Sequence, residues 1–201
     1  REINRALYSA GYAPVYTELS FDDNRLKPVF DAIDQMIANH MPYPAIVMNQ
    51  SWNVIKANES AKSLMSELGF SGYENLIEAL IHDNPEKSKI TNWHETVAGV
   101  LARLRHEISM LGGSDRLEDL EKRLHLCLSP NADEIDIIEI QPFLSTKLRV
   151  YDKELSFFSI ISQLSTIQDI TVSEVKIELL FPTDERTREF YGEDACVSRQ
   201  F

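Results

Sequence analysis

The chain changes character at Pro42-Tyr43-Pro44-Ala45-Ile46-Val47-Met48-Asn49-Gln50-Ser51-Trp52-Asn53-Val54-Ile55-Lys56-Ala57-Asn58. Two β-prone runs lie in this segment, and the turn-forming residues 49–51 separate them, which predicts a hairpin. Asn58 follows directly, and its side-chain oxygen can accept from the first free N–H groups of a helix. The segment therefore predicts two short strands followed at once by a helix.

Helices are predicted on both sides of the hairpin. Upstream, a helix begins around Pro28, because proline suits the first turn, and it ends at Pro42 and Pro44. Its buried stripe at helical spacing is Phe30, Ile33, Ile37 and Met41. Downstream, the helix that Asn58 caps ends at Gly69, a residue suited to the left-handed conformation of a C-terminal cap.

The middle of the chain is predicted to be helical and its last third to form strands. Apolar residues recur at spacings of three and four from Trp93 to Leu111 and again from Leu117 to Leu128. A further short helix is predicted around Ile135 and Ile138. Alternating or β-branched runs follow at 147–151, 155–164 and 175–181, the last as a half-buried strand. Two early strands, central helices and three late strands predict an α+β fold with a five-stranded antiparallel sheet.

Composition narrows the function classes. The 201 residues are 43% hydrophobic, enough for a core, and no run approaches the roughly eighteen apolar residues of a membrane span. We therefore expect a cytoplasmic protein without a membrane partner. Two cysteines are too few for a disulfide framework. The net charge of −12 and the scattered basic residues argue against direct DNA binding, because affinity for DNA comes largely from neutralising phosphates.

Catalytic signatures are missing from the sequence, so we expect no enzyme, no cofactor and no metal. It holds no nucleophile-elbow, phosphate-loop, paired-histidine or dinucleotide motif. The five histidines lack metal-ligand spacing. Gly112-Gly113-Ser114 joins two helical stripes and is interpreted as a helix-ending turn. Cys127 lies near a leucine stripe and is interpreted as a small core residue.

A ligand pocket between the sheet and its covering helices is the better hypothesis. Its candidate residues are aromatic side chains for the walls and polar side chains for a ligand's acid group. The aromatic candidates are Tyr43, Trp93, Phe143, Phe157 and Phe158. The polar candidates are Arg105, Arg103 and His94, because a guanidinium can pair with a carboxylate through two parallel hydrogen bonds. For each aromatic residue an ordinary core position is the alternative, and for each arginine a solvated one.

Several blocks of sequence, in order, resemble one family. Residues 9–16 resemble the junction after the DNA-binding domain of XRE-type helix-turn-helix regulators, and 42–58 resemble the start of the MmyB-like ligand-binding domain. Asn92-Trp93 with residues 101–105 is similar to that family's central helix, and 172–182 resembles its last strand. The resemblance implies a PAS-like sensor fold, a fatty-acid-like or other apolar ligand, and DNA binding only through an upstream domain that is absent here. Residues 128–141 fit the family's pattern poorly.

The resulting domain scheme has three parts. The resemblance implies that residues 1–41 form a linker and helical extension following the absent helix-turn-helix domain, that 42–191 form the PAS-like ligand-binding domain, and that 192–201 form a tail. We expect a homodimer, which would suit the two half-sites of helix-turn-helix regulators. The alternatives are a dimerisation or interaction module with a packed core and no ligand, and a small hydrolase or thioesterase-like enzyme.

Overall fold

The computed structural model describes Ser9 and residues 23–128, 144–163 and 174–197, of which 193–197 are described by their backbone alone. Within these ranges six helices and five strands are present. In chain order they are α1 Lys27–Asn39, β1 Ala45–Met48, β2 Val54–Ala57, α2 Glu59–Leu68, α3 Leu76–His82, α4 Trp93–Leu111, α5 Asp115–Cys127, β3 Thr146–Val150, β4 Lys153–Gln163, β5 Lys176–Pro182 and α6 Glu185–Val197. The short helix predicted around Ile135 lies outside the described residues.

One sheet contains all five strands in the order β2-β1-β5-β4-β3, and each neighbouring pair is antiparallel. This confirms the predicted α+β class with a five-stranded antiparallel sheet and covering helices. The last strand of the sequence, β5, occupies the centre of the sheet. It pairs with β1 through Ala45 opposite Leu179 and with β4 through Ser159 opposite Leu180.

The outer face of the sheet is covered by α1 where β1 and β5 lie. Ile33 and Ile37 of α1 are buried against Ala45, Val47 and Ile177. Met41, which the sequence placed on the same stripe, is 47% exposed, because α1 ends at Asn39 and the chain turns there towards β1. That part of the predicted stripe is wrong.

The inner face of the sheet carries the main core, together with α2, α3, α4 and α5. Leu155 and Phe157 of β4 and Leu148 of β3 pack in one cluster with Val97 and Leu104 of α4. Leucines of α5 complete the layer behind α4, namely Leu117, Leu120 and Leu124. At the β3 edge, Arg149 and Lys147 exchange backbone hydrogen bonds with residues 89–91, so this strand is not left open along its length.

Two caps were correctly predicted from local chemistry. The side-chain oxygen of Asn58 accepts from the Ala61 N–H at the start of α2, and Gly69 ends that helix with φ +79°. The same Asn58 oxygen also accepts from the Ala45 N–H, and its amide donates to the carbonyls of Ile37 and Tyr43. One asparagine therefore joins α1, β1 and α2.

Helices α3 and α6 were not predicted. The N-terminal cap of α3 is Asn75, whose side-chain oxygen accepts from the N–H groups of Ile77 and Glu78. Helix α6 packs on β4 and β5, and its Tyr191 is buried against Phe157. It continues into the stretch that the sequence assigned to a tail from residue 192.

Candidate functional site

A cavity of about 410 Å³ lies between the inner face of the sheet and helices α2, α3 and α4. The cavity walls are mainly aliphatic, with Leu64 and Met65 from α2, Leu80 from α3 and Ile46 and Leu180 from the sheet. Cavities of about 300–1,000 Å³ with mostly apolar walls and a few polar groups are typical of small-molecule sites. A packed core without a cavity, as the interaction-module alternative expected, is not what this layer shows.

One face of α4 forms a wall of the cavity. Thr96, Gly99, Val100 and Arg103 follow each other at spacings of three and four, so they lie on the same side of the helix. Leu144 packs so closely on Gly99 that any side chain at position 99 would overlap it. Because position 99 carries no side chain, Leu144 can pack against α4 there and form part of the cavity wall.

Arg103 marks the polar part of the cavity. Its guanidinium lies over the ring of Trp52, with Cζ 4.2 Å from the ring centroid. Its Nη1 is 3.6 Å from an oxygen of Glu178, and its Nε is 3.8 Å from an oxygen of Glu107, both too long for hydrogen bonds. Within the described part of the chain, its Nε and Nη2 are buried without any hydrogen-bond partner.

Lys176 completes a buried charged cluster beside Arg103. Its side chain is 2% exposed, and its Nζ donates to a Glu107 oxygen at 2.9 Å. The same oxygen accepts from the Trp52 indole N–H at 2.9 Å, and the Lys176 ammonium lies 4.3 Å from the Trp52 ring centroid. Burial lowers the pKa of Lys176, while the hydrogen bond from Lys176 to Glu107 opposes that shift.

Trp52 occupies an unusual backbone position between these two cations. Its φ is +67°, in the left-handed region that a bulky side chain seldom adopts. Such strain persists only when the surroundings fix it, and it is found most often at functional sites. Here the indole is held by Glu107 and lies against Arg103 and Lys176.

The structure brings three of the eight candidate residues to the cavity. Arg103 and Phe157 line the cavity, and Phe158, the next residue of β4, borders it. Because side chains alternate along a strand, the Phe158 ring lies on the opposite face of the sheet from Phe157, where it is stacked on its strand partner Phe181.

Four other candidates lie elsewhere. Arg105 is 51% exposed and donates to Glu121 at 2.7 Å, so it joins α4 to α5 on the far side from the cavity. His94 is exposed, while Trp93 is buried in the core without being part of the cavity wall. Tyr43 packs its ring on Tyr191.

The eighth candidate, Phe143, lies outside the described residues. No group of three or more histidine, cysteine, aspartate or glutamate side chains suited to a metal ion occurs in the described ranges. Among those residues no helix is long and apolar enough to cross a membrane. The half-buried Cys127 lies beside α3 rather than at the cavity, and burial raises the pKa of its thiol.

A family model described as the MmyB-like transcription regulator ligand binding domain matches residues 29–192, most of the chain. The chain belongs to this family. No curated protein matched the chain. The MmyB-like family consists of ligand-binding domains of transcription regulators. The cavity therefore lies in a ligand-binding domain.

The polar residues that sequence reasoning missed in this MmyB-like domain are Trp52, Glu107, Lys176 and Glu178. Lys176 and Glu178 alternate with apolar residues along β5, a pattern that usually marks a solvent-exposed face. Because β5 is the central strand, helices cover both of its faces, and Lys176 is 1% exposed. No residue of β5 is exposed, so the polar face that the alternation placed towards solvent is covered instead. An alternating pattern in one sequence does not show which strand is central.

Proposed function

We propose that this domain senses a small, mainly apolar molecule such as a fatty acid, and that ligand binding controls operator binding by an upstream helix-turn-helix domain. The observation that carries the proposal is the cavity of about 410 Å³ with aliphatic walls and one polar cluster. A hydrocarbon chain fits such walls because burying apolar surface is favourable at roughly 25 cal/mol per Å².

The proposed sensor acts through a shift between two states of the whole regulator. A ligand changes operator affinity only to the extent that it binds one state more tightly than the other. The domain itself is acidic, with net charge −12, so DNA contacts belong to the upstream domain of the parent protein. We propose a cytoplasmic homodimer, since helix-turn-helix regulators read two half-sites.

Val100 offers a direct test, because its half-buried side chain lines the cavity from α4. Replacing it by phenylalanine fills part of the cavity, whereas replacing it by alanine enlarges the cavity. Native mass spectrometry of the wild-type domain, followed by denaturing extraction, is expected to show a bound apolar molecule. V100F should carry at least about tenfold less of it, because the phenyl ring occupies part of the space that the ligand fills; a factor of ten in affinity corresponds to about 1.4 kcal/mol.

The matched control is Ala102→Phe, on the exposed side of the same helix. This variant should retain the wild-type amount of ligand, and V100A should retain it with a preference for longer chains. Equal ligand content in V100F and wild type would contradict binding in this cavity. Identical operator binding by the full-length regulator with and without the extracted molecule would contradict the sensing role.

A further inference from the structure

The cavity is elongated, and its two ends lie at different strands of the sheet. Glu178 of β5 lines one end, and Leu148 of β3 lines the other. Glu178 is paired with Ile161 of β4, and Leu148 is paired with Leu155 of the same strand. From residue 155 to residue 161 the strand covers about 20 Å, at roughly 3.3 Å per residue. The long axis of the cavity therefore crosses the sheet from β5 to β3.

Helix α4 runs between the same two ends. Near β5 its Arg103 lies 3.6 Å from an oxygen of Glu178. Near β3 the side-chain oxygen of Asn92, just before the helix, accepts from the Lys147 N–H at 2.8 Å and from the Thr96 hydroxyl at 3.1 Å. Thr96 and Arg103 both line the cavity, and the helix separates them by about 10 Å. Helix α4 thus follows the cavity along much of its length.

The end of the cavity at β3 is closed by two buried aliphatic residues. Ile90 and Leu148 lie opposite each other in an antiparallel bridge, and both line the cavity. An ion pair of Glu67 with Lys89, at 3.2 Å, joins the last turn of α2 to the residue before Ile90. A chain that extends from β5 towards β3 therefore meets a wall formed by Ile90 and Leu148.

The two ends differ in their access to water. At the β5 end the side chains of Arg103 and Glu178 are 28% and 15% exposed. At the β3 end Ile90 and Leu148 are 4% and 2% exposed. Burying an ionised carboxylate away from water is costly, whereas burying methylene groups is favourable. The β5 end therefore favours the acid group of a ligand, and the β3 end favours its hydrocarbon chain.

We propose that Ile90 and Leu148 form an end wall that sets the length of the bound acyl chain. The carboxylate of the fatty acid lies at the Arg103 end, and its terminal methyl group contacts the end wall. This inference rests on the proposed function, because it gives an orientation and a length to the fatty acid proposed there. A methylene group takes up about as much space as a water molecule, roughly 30 Å³, so the cavity of about 410 Å³ holds about 14 non-hydrogen atoms. Dodecanoate is a fatty acid of this size.

A series of saturated fatty acids tests the end wall on the delipidated protein. Isothermal titration calorimetry with the even-numbered acids from octanoate to octadecanoate gives the affinity as a function of chain length. The affinity should rise about fourfold for each added methylene group until the cavity is filled. It should then fall beyond dodecanoate or tetradecanoate, because further carbons meet the end wall. An affinity that still rises at hexadecanoate would overturn the proposal.

Substitution of the end wall should move this maximum. Leu148→Ala is expected to shift it to chains longer by about two carbons, because the truncation leaves a cavity at the closed end. Octanoate affinity should stay within about twofold, since this acid is too short to reach the wall. The matched control is Leu120→Ala, which removes the same atoms from a buried position of α5 that does not line the cavity. An unchanged maximum in L148A, or the same shift in L120A, would overturn the assignment.

The readouts keep folding, function and chain length apart. The urea midpoint shows whether each variant is folded, and L148A should gain about tenfold in hexadecanoate affinity, which an unfolded protein cannot do. If L148A does not fold, the milder Ile90→Val decides, and its ratio of hexadecanoate to dodecanoate affinity should rise at least about threefold. An unchanged ratio would overturn the end wall. Binding of none of the acids to the folded wild-type protein would overturn the proposed function, whereas binding without a maximum overturns the chain-length proposal alone.

Discussion

At the scale of single residues, Glu107 supports the polar end of the cavity. One of its oxygens accepts both from Lys176 and from the Trp52 indole. Removing one partner of a buried ion pair is strongly destabilising because it leaves the other charge buried without compensation. Glu107 is 17% exposed, so the pair is well shielded from water. Its carboxylate thus fixes the positions of an ammonium and an aromatic ring together.

Glu107→Ala is therefore expected to lower the free energy of unfolding by roughly 3 kcal/mol. The double variant E107A/K176M should recover most of this loss, because the methionine leaves no buried ammonium without its partner. The surface pair of Arg105 with Glu121 supplies the control, and E121Q should cost less than about 1 kcal/mol. Urea denaturation followed by tryptophan fluorescence measures all three values. A cost for E107A no larger than that for E121Q would show that the cluster contributes little to stability.

Asn58 shows how far local sequence chemistry reaches at this scale. Its position between a β-prone run and an apolar helical stripe predicts the cap of α2, and the structure confirms it. The two hydrogen bonds from its amide to Ile37 and Tyr43 were not predictable. They depend on where α1 packs against the sheet, which is a long-range property. For the same reason the sequence could not distinguish Arg103 from Arg105. Both lie on α4, and only the packing of that helix shows that Arg103 lines the cavity while Arg105 pairs with Glu121.

At the scale of elements, long periodic stripes were predictable and short elements were not. Helices α4 and α5 follow stripes of many apolar residues, and both are present near the predicted limits. Helix α3 has seven residues, too few to show a repeating face, and depends on its Asn75 cap and on packing against α5. Phe157, a candidate from the sequence, lines the cavity because its strand turns this side chain towards the inner face of the sheet.

Glu78 is the main charged link between α3 and α5. Its carboxylate accepts from Arg116 at 2.9 Å and lies 3.5 Å from Arg123. The hydrogen bond from Arg116, followed by the charges of Arg116 and Arg123, holds the pKa of Glu78 below its usual value. A carboxyl group whose pKa is lowered on folding stabilises the protein above its unfolded pKa, and this contribution disappears as the pH falls through the folded pKa.

Glu78→Gln should therefore cost roughly 0.5–1 kcal/mol at pH 7, as expected for a partly exposed ion pair. The difference from wild type should shrink as the pH falls below about 4.3, the ordinary value for glutamate, because both proteins then carry an uncharged side chain there. Urea midpoints measured from pH 7 to pH 3 test this, with Glu86→Gln in an exposed turn as the control. A cost for E78Q that is constant over this range would contradict the link to ionisation.

At the scale of the whole molecule, the strand order determines which surfaces remain uncovered. The element sequence predicted an α+β sheet, but the order β2-β1-β5-β4-β3 follows from long-range pairing that no local pattern reveals. Among the described residues α1 covers β1 and β5, and on the outer face of β4 Ile160 is 49% exposed. The stacked pair Phe158 and Phe181 lies next to it on the same face and is half-buried. Met36 of α1, beside Leu179 of β5, is also exposed at 42% and adds to the apolar surface of this face.

This outer face is the surface on which we expect two copies of the domain to meet. Apolar residues that form a continuous exposed patch often mark a contact with another protein, and a homodimer uses the same patch from both copies.

Light scattering of the purified domain at micromolar concentration should give twice the mass of 23.0 kDa. Ile160→Asp should shift the domain towards the monomer by at least about tenfold in dissociation constant, because each copy would bury a charge in the interface. The control is Met110→Asp on α4, where Met110 is 74% exposed and lies outside this face, and it should leave the dimer intact. A wild-type monomer at these concentrations, or a dimer that I160D leaves unchanged, would show that the outer face of β4 does not join two copies.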